Sequence, residues 1–169
     1  MLKKILVNIA IYILPGVILY LGYYAYKQHE YNSIIEERIG QIPQMSFLTL
    51  EGDSISFEQK GKTTVLIEFN PGCDYCQKEA TDIINNKENL SHLDIYFISK
   101  APLSAINKFR SEYKFTETDQ FTFLQDQYYE MDKFPSVIIP STYIYNEKGE
   151  LLFYNFGITE AQDIIEESK

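Results

Sequence analysis

Cys73 and Cys76 are the only two cysteines in the 169 residues, and they stand three apart directly after a turn. The segment reads Phe69-Asn70-Pro71-Gly72-Cys73-Asp74-Tyr75-Cys76. Before it, residues 63–69 form a short run rich in β-branched side chains, the pattern of a buried strand. Asn70-Pro71-Gly72 is a turn signal, and residues 73–86 read as a helix. A strand that turns straight into a helix puts Cys73 at the helix amino terminus. There the backbone N–H groups and the macrodipole favour a thiolate. Cys76 falls one turn further along the same face. The spacing points to thiol–disulfide chemistry, with Cys73 as the exposed nucleophile and Cys76 as the more buried thiol that resolves a mixed disulfide.

Other uses of such a pair fit poorly. Zinc needs four ligands, and the only histidines are His29 and His92, so no metal site is expected. Haem attachment needs a histidine directly after the second cysteine, where Gln77 stands. A purely structural disulfide would close a tiny loop and add little stability. No cofactor is expected. The formal net charge of -9 repels phosphate backbones, which excludes nucleic acid as a partner.

Residues 5–26 carry no charge and, apart from Asn8, are apolar or aromatic. About 20 such residues span a hydrocarbon core as a helix. Lys3 and Lys4 precede the run and favour a cytoplasmic amino terminus; Tyr20, Tyr23, Tyr24 and Tyr26 gather at the far end, as interface tyrosines do. Pro15 and Gly16 lie mid-span. A cleaved signal peptide would want small residues at the far end, and Tyr23 breaks that pattern. The expectation is an uncleaved single-span anchor over residues 1–27, a polar stalk or linker over 28–42, and one folded domain over 43–169.

Within that domain, residues 45–50 and 55–57 flank Glu51-Gly52-Asp53-Ser54 as a β-hairpin. Residues 93–99 read as a strand and 101–112 as a helix with Pro102 in its first turn. A short strand at 121–124 and a short helix at 128–132 follow. Residues 142–145 and 151–156 read as strands around Asn146-Glu147-Lys148-Gly149, and a last helix starts at Thr159 as N-cap.

This order resembles the thioredoxin superfamily, and within it the TlpA-like membrane-anchored thiol–disulfide oxidoreductases. The resemblance covers roughly residues 43–167. It rests on the hairpin before the first core strand, the strand–turn–C-x-x-C–helix unit, a β-α insertion, and Ile139-Pro140-Ser141-Thr142 before a strand. It implies an α/β thioredoxin-like fold with an N-terminal β-hairpin, preceded by a single transmembrane helix. It also implies a cis-proline at Pro140 facing the cysteine pair, with Pro135 ranked below it. Glu79, three residues after Cys76, matches the family glutamate that exchanges a proton with the second cysteine. Glu68 is a weaker candidate for the buried acid of thioredoxins. The expected partners are disulfide-containing exported proteins and a membrane thiol-electron donor or acceptor. The expected location is the inner membrane, with the domain on its extracytoplasmic side.

The chain departs from the family pattern. Gly72 replaces the usual tryptophan before the first cysteine, and Asp74-Tyr75 replaces glycine and proline between the two. Asp74 sets a negative charge beside Cys73, and no histidine lies between the cysteines, which tilts the reading toward a reductant. A peroxiredoxin-like thiol peroxidase is an alternative on the same fold. It would need threonine or serine three residues before the reactive cysteine, and Asn70 stands there. A non-catalytic binding module is the other alternative.

Overall fold

A computed structural model describes residues 2–57, 61–118, 120–136 and 138–169, the side chains of residues 2–12 and 117 excepted. The chain divides into two units, Met1–Glu37 and Arg38–Lys169.

Helix α1 (Leu2–Ile39) carries the described residues of the first unit, running on through Pro15 and through most of the segment expected as a stalk. Among the described residues no helix is long and apolar enough to cross a membrane, so the structure by itself does not supply the expected transmembrane span. The reason lies in α1. The side chains of residues 5–12, over a third of the uncharged run, lie outside the described ones. The described part of that run ends at Tyr26. Beyond it α1 turns polar, with Lys27 paired to Glu30 at 2.7 Å.

The second unit is built on a seven-stranded sheet in the order β2-β1-β5-β4-β3-β6-β7. The hairpin forms as expected, with β1 (Ser46–Leu48) antiparallel to β2 (Ser54–Ser56). Strands β3 (Thr64–Glu68), β4 (Asp94–Ser99) and β5 (Phe121–Gln125) are parallel neighbours. On the other side of β3 lie β6 (Ser141–Tyr145), antiparallel to β3, and then β7 (Leu151–Phe156), antiparallel to β6. Parallel strands need crossovers, and α2 (Asp74–Asn85) and α3 (Leu103–Glu112) supply them. This is the α/β arrangement expected of a thioredoxin-like chain.

Alternation along the strands divides the core between the two faces of the sheet. Val65, Ile67, Ile95, Phe97, Phe121 and Phe123 belong to one buried cluster that includes Cys76, Ala80 and Ile83 of α2. Phe97 and Phe123 stack at 4.8 Å between ring centroids, and Phe69 packs edge-on to Phe97. A buried phenylalanine contributes about 1.5–3 kcal/mol. Phe69 therefore fixes the end of β3 one residue before the turn that carries the cysteines.

The last helix departs from expectation. Thr159 does not cap it; Glu160 occupies the N-cap and α4 spans Ala161–Glu167. The Thr159 N–H is taken by Glu79, and the Ala161 N–H donates to Asp82 Oδ2 at 2.6 Å. A carboxylate on α2 thus caps α4, a service that sequence neighbours usually provide. At the start of α3, Pro102 is the N-cap residue and not part of the first turn. The expected short helix near residue 130 is a 3-10 turn, Glu130–Lys133.

Candidate active site

The turn after β3 is tied by its own atoms. Phe69 N–H donates to Ile98 O at 2.9 Å, which extends the β3–β4 pairing by one residue. The Asn70 side chain accepts from Gly72 N–H at 2.9 Å, and Asn70 O accepts from Cys73 N–H at 3.0 Å. The chain reverses within three residues and delivers Cys73 to the N-cap of α2, with φ -93° and ψ 119°. An N-cap side chain normally satisfies a free N–H of the first turn. Here the Cys73 sulfur does so, accepting from Cys76 N–H at 3.3 Å.

Both cysteines are free thiols, Cys73 half-buried and Cys76 buried. Cys76 is 2% exposed, and its sulfur accepts from Asn70 N–H at 3.5 Å. Burial pushes the Cys76 thiol well above its ordinary range; the Asn70 N–H opposes this, and Cys73 and Glu79 add to it. The structure therefore separates the pair into an accessible sulfur at a helix terminus and a protonated one beneath it.

Pro140 is buried, and Ile139–Pro140 is the cis peptide bond among the described residues; the bond to Pro135 is not cis. The Cys73 thiol lies 3.9 Å from Ile139 O as a long donor contact. Pro140 O accepts from Gly157 N–H at 2.8 Å, and Gly157 has φ 109°, a left-handed conformation that glycine tolerates.

Glu79 sits one turn beyond Cys76 and is 1% exposed. Its Oε1 accepts from Thr142 Oγ1 and from Thr159 N–H, each at 3.1 Å. Burial raises its carboxyl to about 7; the Thr159 and Thr142 hydrogen bonds hold it back and nearby Asp82 adds to the rise. Glu79 thus joins α2 to the strand after Pro140 and titrates in the neutral range, where a proton-exchanging group is useful.

Residues 40–153 match the AhpC/TSA family. The chain belongs to the AhpC/TSA family. Among curated proteins, it is similar to sporulation thiol-disulfide oxidoreductase A of Bacillus subtilis (strain 168). The two are 27% identical over 141 residues, which span 78% of this chain and 82% of that protein. The crystal structure of StoA from Bacillus subtilis matches with a TM-score of 0.62 at 22% identity, over 77% of this chain and 99% of that one. A secreted Mycobacterium tuberculosis disulfide oxidoreductase homologous to E. coli DsbE matches with a TM-score of 0.62 at 21% identity, over 79% and 97%. These two likenesses show the thioredoxin-like fold. The chain is an oxidoreductase.

In this AhpC/TSA protein, Cys73, Cys76, Glu79 and Pro140 come together at one end of the sheet. Glu68 does not join them. It ends β3 on the other sheet face and is paired with Lys100 at 3.6 Å. Burial raises its carboxyl, with Lys100 opposing. Three residues take part that were expected only in other places, as turn, strand and N-cap residues: Asn70, whose N–H donates to the Cys76 sulfur, and Thr142 and Thr159, which hold Glu79. The Asn-Pro-Gly turn signalled the first. Thr142 lies two residues after Pro140, the one hint of the second.

Proposed function

We propose that this chain is a thiol–disulfide oxidoreductase that reduces or exchanges disulfides in exported proteins through Cys73 and Cys76. The observation that carries the reading is the Cys73 sulfur at the N-cap of α2, accepting the Cys76 N–H, with a buried Cys76 thiol and a neutral-range Glu79 behind it.

The Cys73 thiolate attacks one sulfur of a substrate disulfide. The substrate S–S bond breaks, one substrate thiolate leaves, and a mixed disulfide forms with Cys73. Cys76 passes its proton to the Glu79 carboxylate and attacks the Cys73 sulfur. The mixed disulfide breaks, the second substrate thiolate leaves, and the protein holds a Cys73–Cys76 disulfide. Two electrons have moved to the substrate. On re-reduction by a membrane thiol donor, Glu79 returns the proton to Cys76 as it leaves. Pro140 sits across from Cys73 and shapes the face that the substrate approaches.

A membrane anchor completes the reading. It is supported by the uncharged run of residues 5–26 after Lys3 and Lys4, and by α1 continuing as helix over that run. Ile13, Leu14, Ile18, Leu19 and Leu21 also present their apolar side chains outward. The domain then works on the extracytoplasmic side of the inner membrane. The peroxidase alternative is disfavoured because Asn70, whose side chain is engaged with Gly72 N–H, stands where a peroxidase needs a hydroxyl.

The test is Cys76→Ser expressed with its membranes. The account expects mixed disulfides on Cys73 that reductant releases and that Cys73→Ser abolishes. Absence of any Cys73-linked partner would count against it.

A further inference from the structure

The β3–β4 pairing ends with Phe69 N–H on Ile98 O at 2.9 Å, so the next N–H along the chain, that of Asn70, lies beyond the ladder. It turns inward and donates to the Cys76 sulfur at 3.5 Å. Cys76 is 2% exposed, so little water reaches that sulfur to take the place of this donor.

The turn that carries the Asn70 N–H is held from both ends. Asn70 O accepts from Cys73 N–H at 3.0 Å and closes a four-residue turn. Asn70 Oδ1 accepts from Gly72 N–H at 2.9 Å, as an asparagine at the head of a turn does with the backbone two residues on. Pro71 has no N–H to satisfy, and its carbonyl is held from α2, where Gln77 Nε2 donates to Pro71 O at 3.1 Å. Gln77 is itself fixed by the helix, its N–H donating to Cys73 O at 3.0 Å. The Asn70 side chain is exposed and that of Gln77 half-buried, and neither belongs to the core cluster. Their contacts are with the turn.

The step that needs this arrangement is the second one. To resolve a mixed disulfide, Cys76 gives its proton to Glu79, and its sulfur bonds to the Cys73 sulfur. The bond from Cys73 to the substrate sulfur breaks, and the substrate thiolate leaves. Negative charge therefore builds on a buried sulfur. Burial opposes that charge, and Cys73 and Glu79 oppose it too, while the Asn70 N–H favours it. A hydrogen bond to an ionised acceptor is stronger than one to a neutral acceptor, so this bond tightens as the proton leaves. The donor also stands three residues before Cys73, so one turn carries both the N–H and the sulfur to be attacked.

We propose that the Asn70 main-chain N–H stabilises the Cys76 thiolate during resolution, and that the side chains of Asn70 and Gln77 are the positioning residues that lock the Asn-Pro-Gly turn for it. This inference rests on the thiol–disulfide reading and deepens its second step. The first attack draws on a different donor, since the Cys73 sulfur accepts from Cys76 N–H.

Rapid mixing of the reduced protein with a disulfide-bridged peptide separates formation of the Cys73–peptide adduct from its decay to the Cys73–Cys76 disulfide. Asn70→Ala removes the acceptor for Gly72 N–H; Gln77→Met keeps the length of the side chain without its donor. Each should slow the decay by about tenfold while adduct formation keeps its rate. The double variant should decay little more slowly than either single one, because both side chains hold the same turn. Equal slowing of the two steps, or an unchanged decay, overturns the proposal and leaves the oxidoreductase reading standing. If the wild type forms no adduct, that reading fails, and hydrogen exchange in the reduced protein still tests the position of the N–H. In Gln77→Met and in Cys76→Ala the Asn70 amide should exchange about tenfold faster, while the Phe69 amide on the β3–β4 ladder keeps its protection. An Asn70 amide that exchanges at the wild-type rate in either variant overturns the proposal on its own.

Discussion

Glu79→Gln keeps the shape of the side chain and removes its charge. The carboxyl is raised from 4.5 to about 7 by burial. One unit of displacement is about 1.4 kcal/mol, so a charged Glu79 costs the fold about 3 kcal/mol. The sign follows from proton binding. The folded protein holds this proton more tightly than the unfolded chain does. The stability it gives is full below about 4.5 and is lost as pH rises to about 7. Glutamine has no such loss. Its oxygen still accepts from Thr142 and Thr159, but its amide adds donors without partners, at about 1–2 kcal/mol. The variant should be less stable than wild type by that amount in mild acid, and more stable by about 1–2 kcal/mol above neutral pH. Urea unfolding of the dithiol form across pH reads this crossing directly. In activity the order reverses: the Cys76 thiol loses its proton acceptor, and disulfide exchange near neutral pH should slow by about 100-fold. Stability curves that run parallel for the two proteins, with unchanged exchange rates, would refute both the buried charge and the proton-exchange role.

Three further outcomes are expected. Hydrogen peroxide should oxidise Cys73 no faster than an ordinary exposed thiol, because Asn70 replaces the peroxidase hydroxyl; sulfenate formation orders of magnitude faster, followed with a dimedone probe, would contradict this. Asp82→Ala removes the cap on Ala161 N–H, so it should cost about 1 kcal/mol in chemical denaturation and raise hydrogen exchange first in α4. In intact spheroplasts, a membrane-impermeant thiol reagent should label Cys73; labelling seen only after lysis would reverse the proposed topology.

The strand–turn–helix around Cys73 was legible because its determinants are local. A β-branched run, an Asn-Pro-Gly turn and a cysteine at the helix start all lie within a dozen residues. Glu79 and Pro140 became visible through the resemblance to a family; helical spacing adds only that Glu79 shares a face of the helix with Cys76. What stayed hidden is long-range. Thr142 and Thr159 reach Glu79 across 63 and 80 positions of sequence. The same distance explains Thr159, which looks like an N-cap by residue type yet gives its N–H to Glu79, while Asp82 takes over the cap. Glu68 read as a buried acid near the cysteines, but strand alternation turned it to the opposite face, where Lys100 meets it. The polar stalk gave no local stop, so α1 runs through it to Ile39.

The most direct measurement follows both thiols through one turnover. Reduced protein is mixed with an equal amount of a disulfide-bridged peptide, quenched in acid at intervals, and the free thiols are alkylated and weighed by mass spectrometry. The account predicts a transient species with the peptide on Cys73. It then predicts loss of both alkylation sites at Cys73 and Cys76 as two thiols appear on the peptide, with Cys76→Ser arrested at the transient species. A protein that keeps both thiols while the peptide keeps its disulfide, or a peptide adduct forming on Cys76 first, would contradict it.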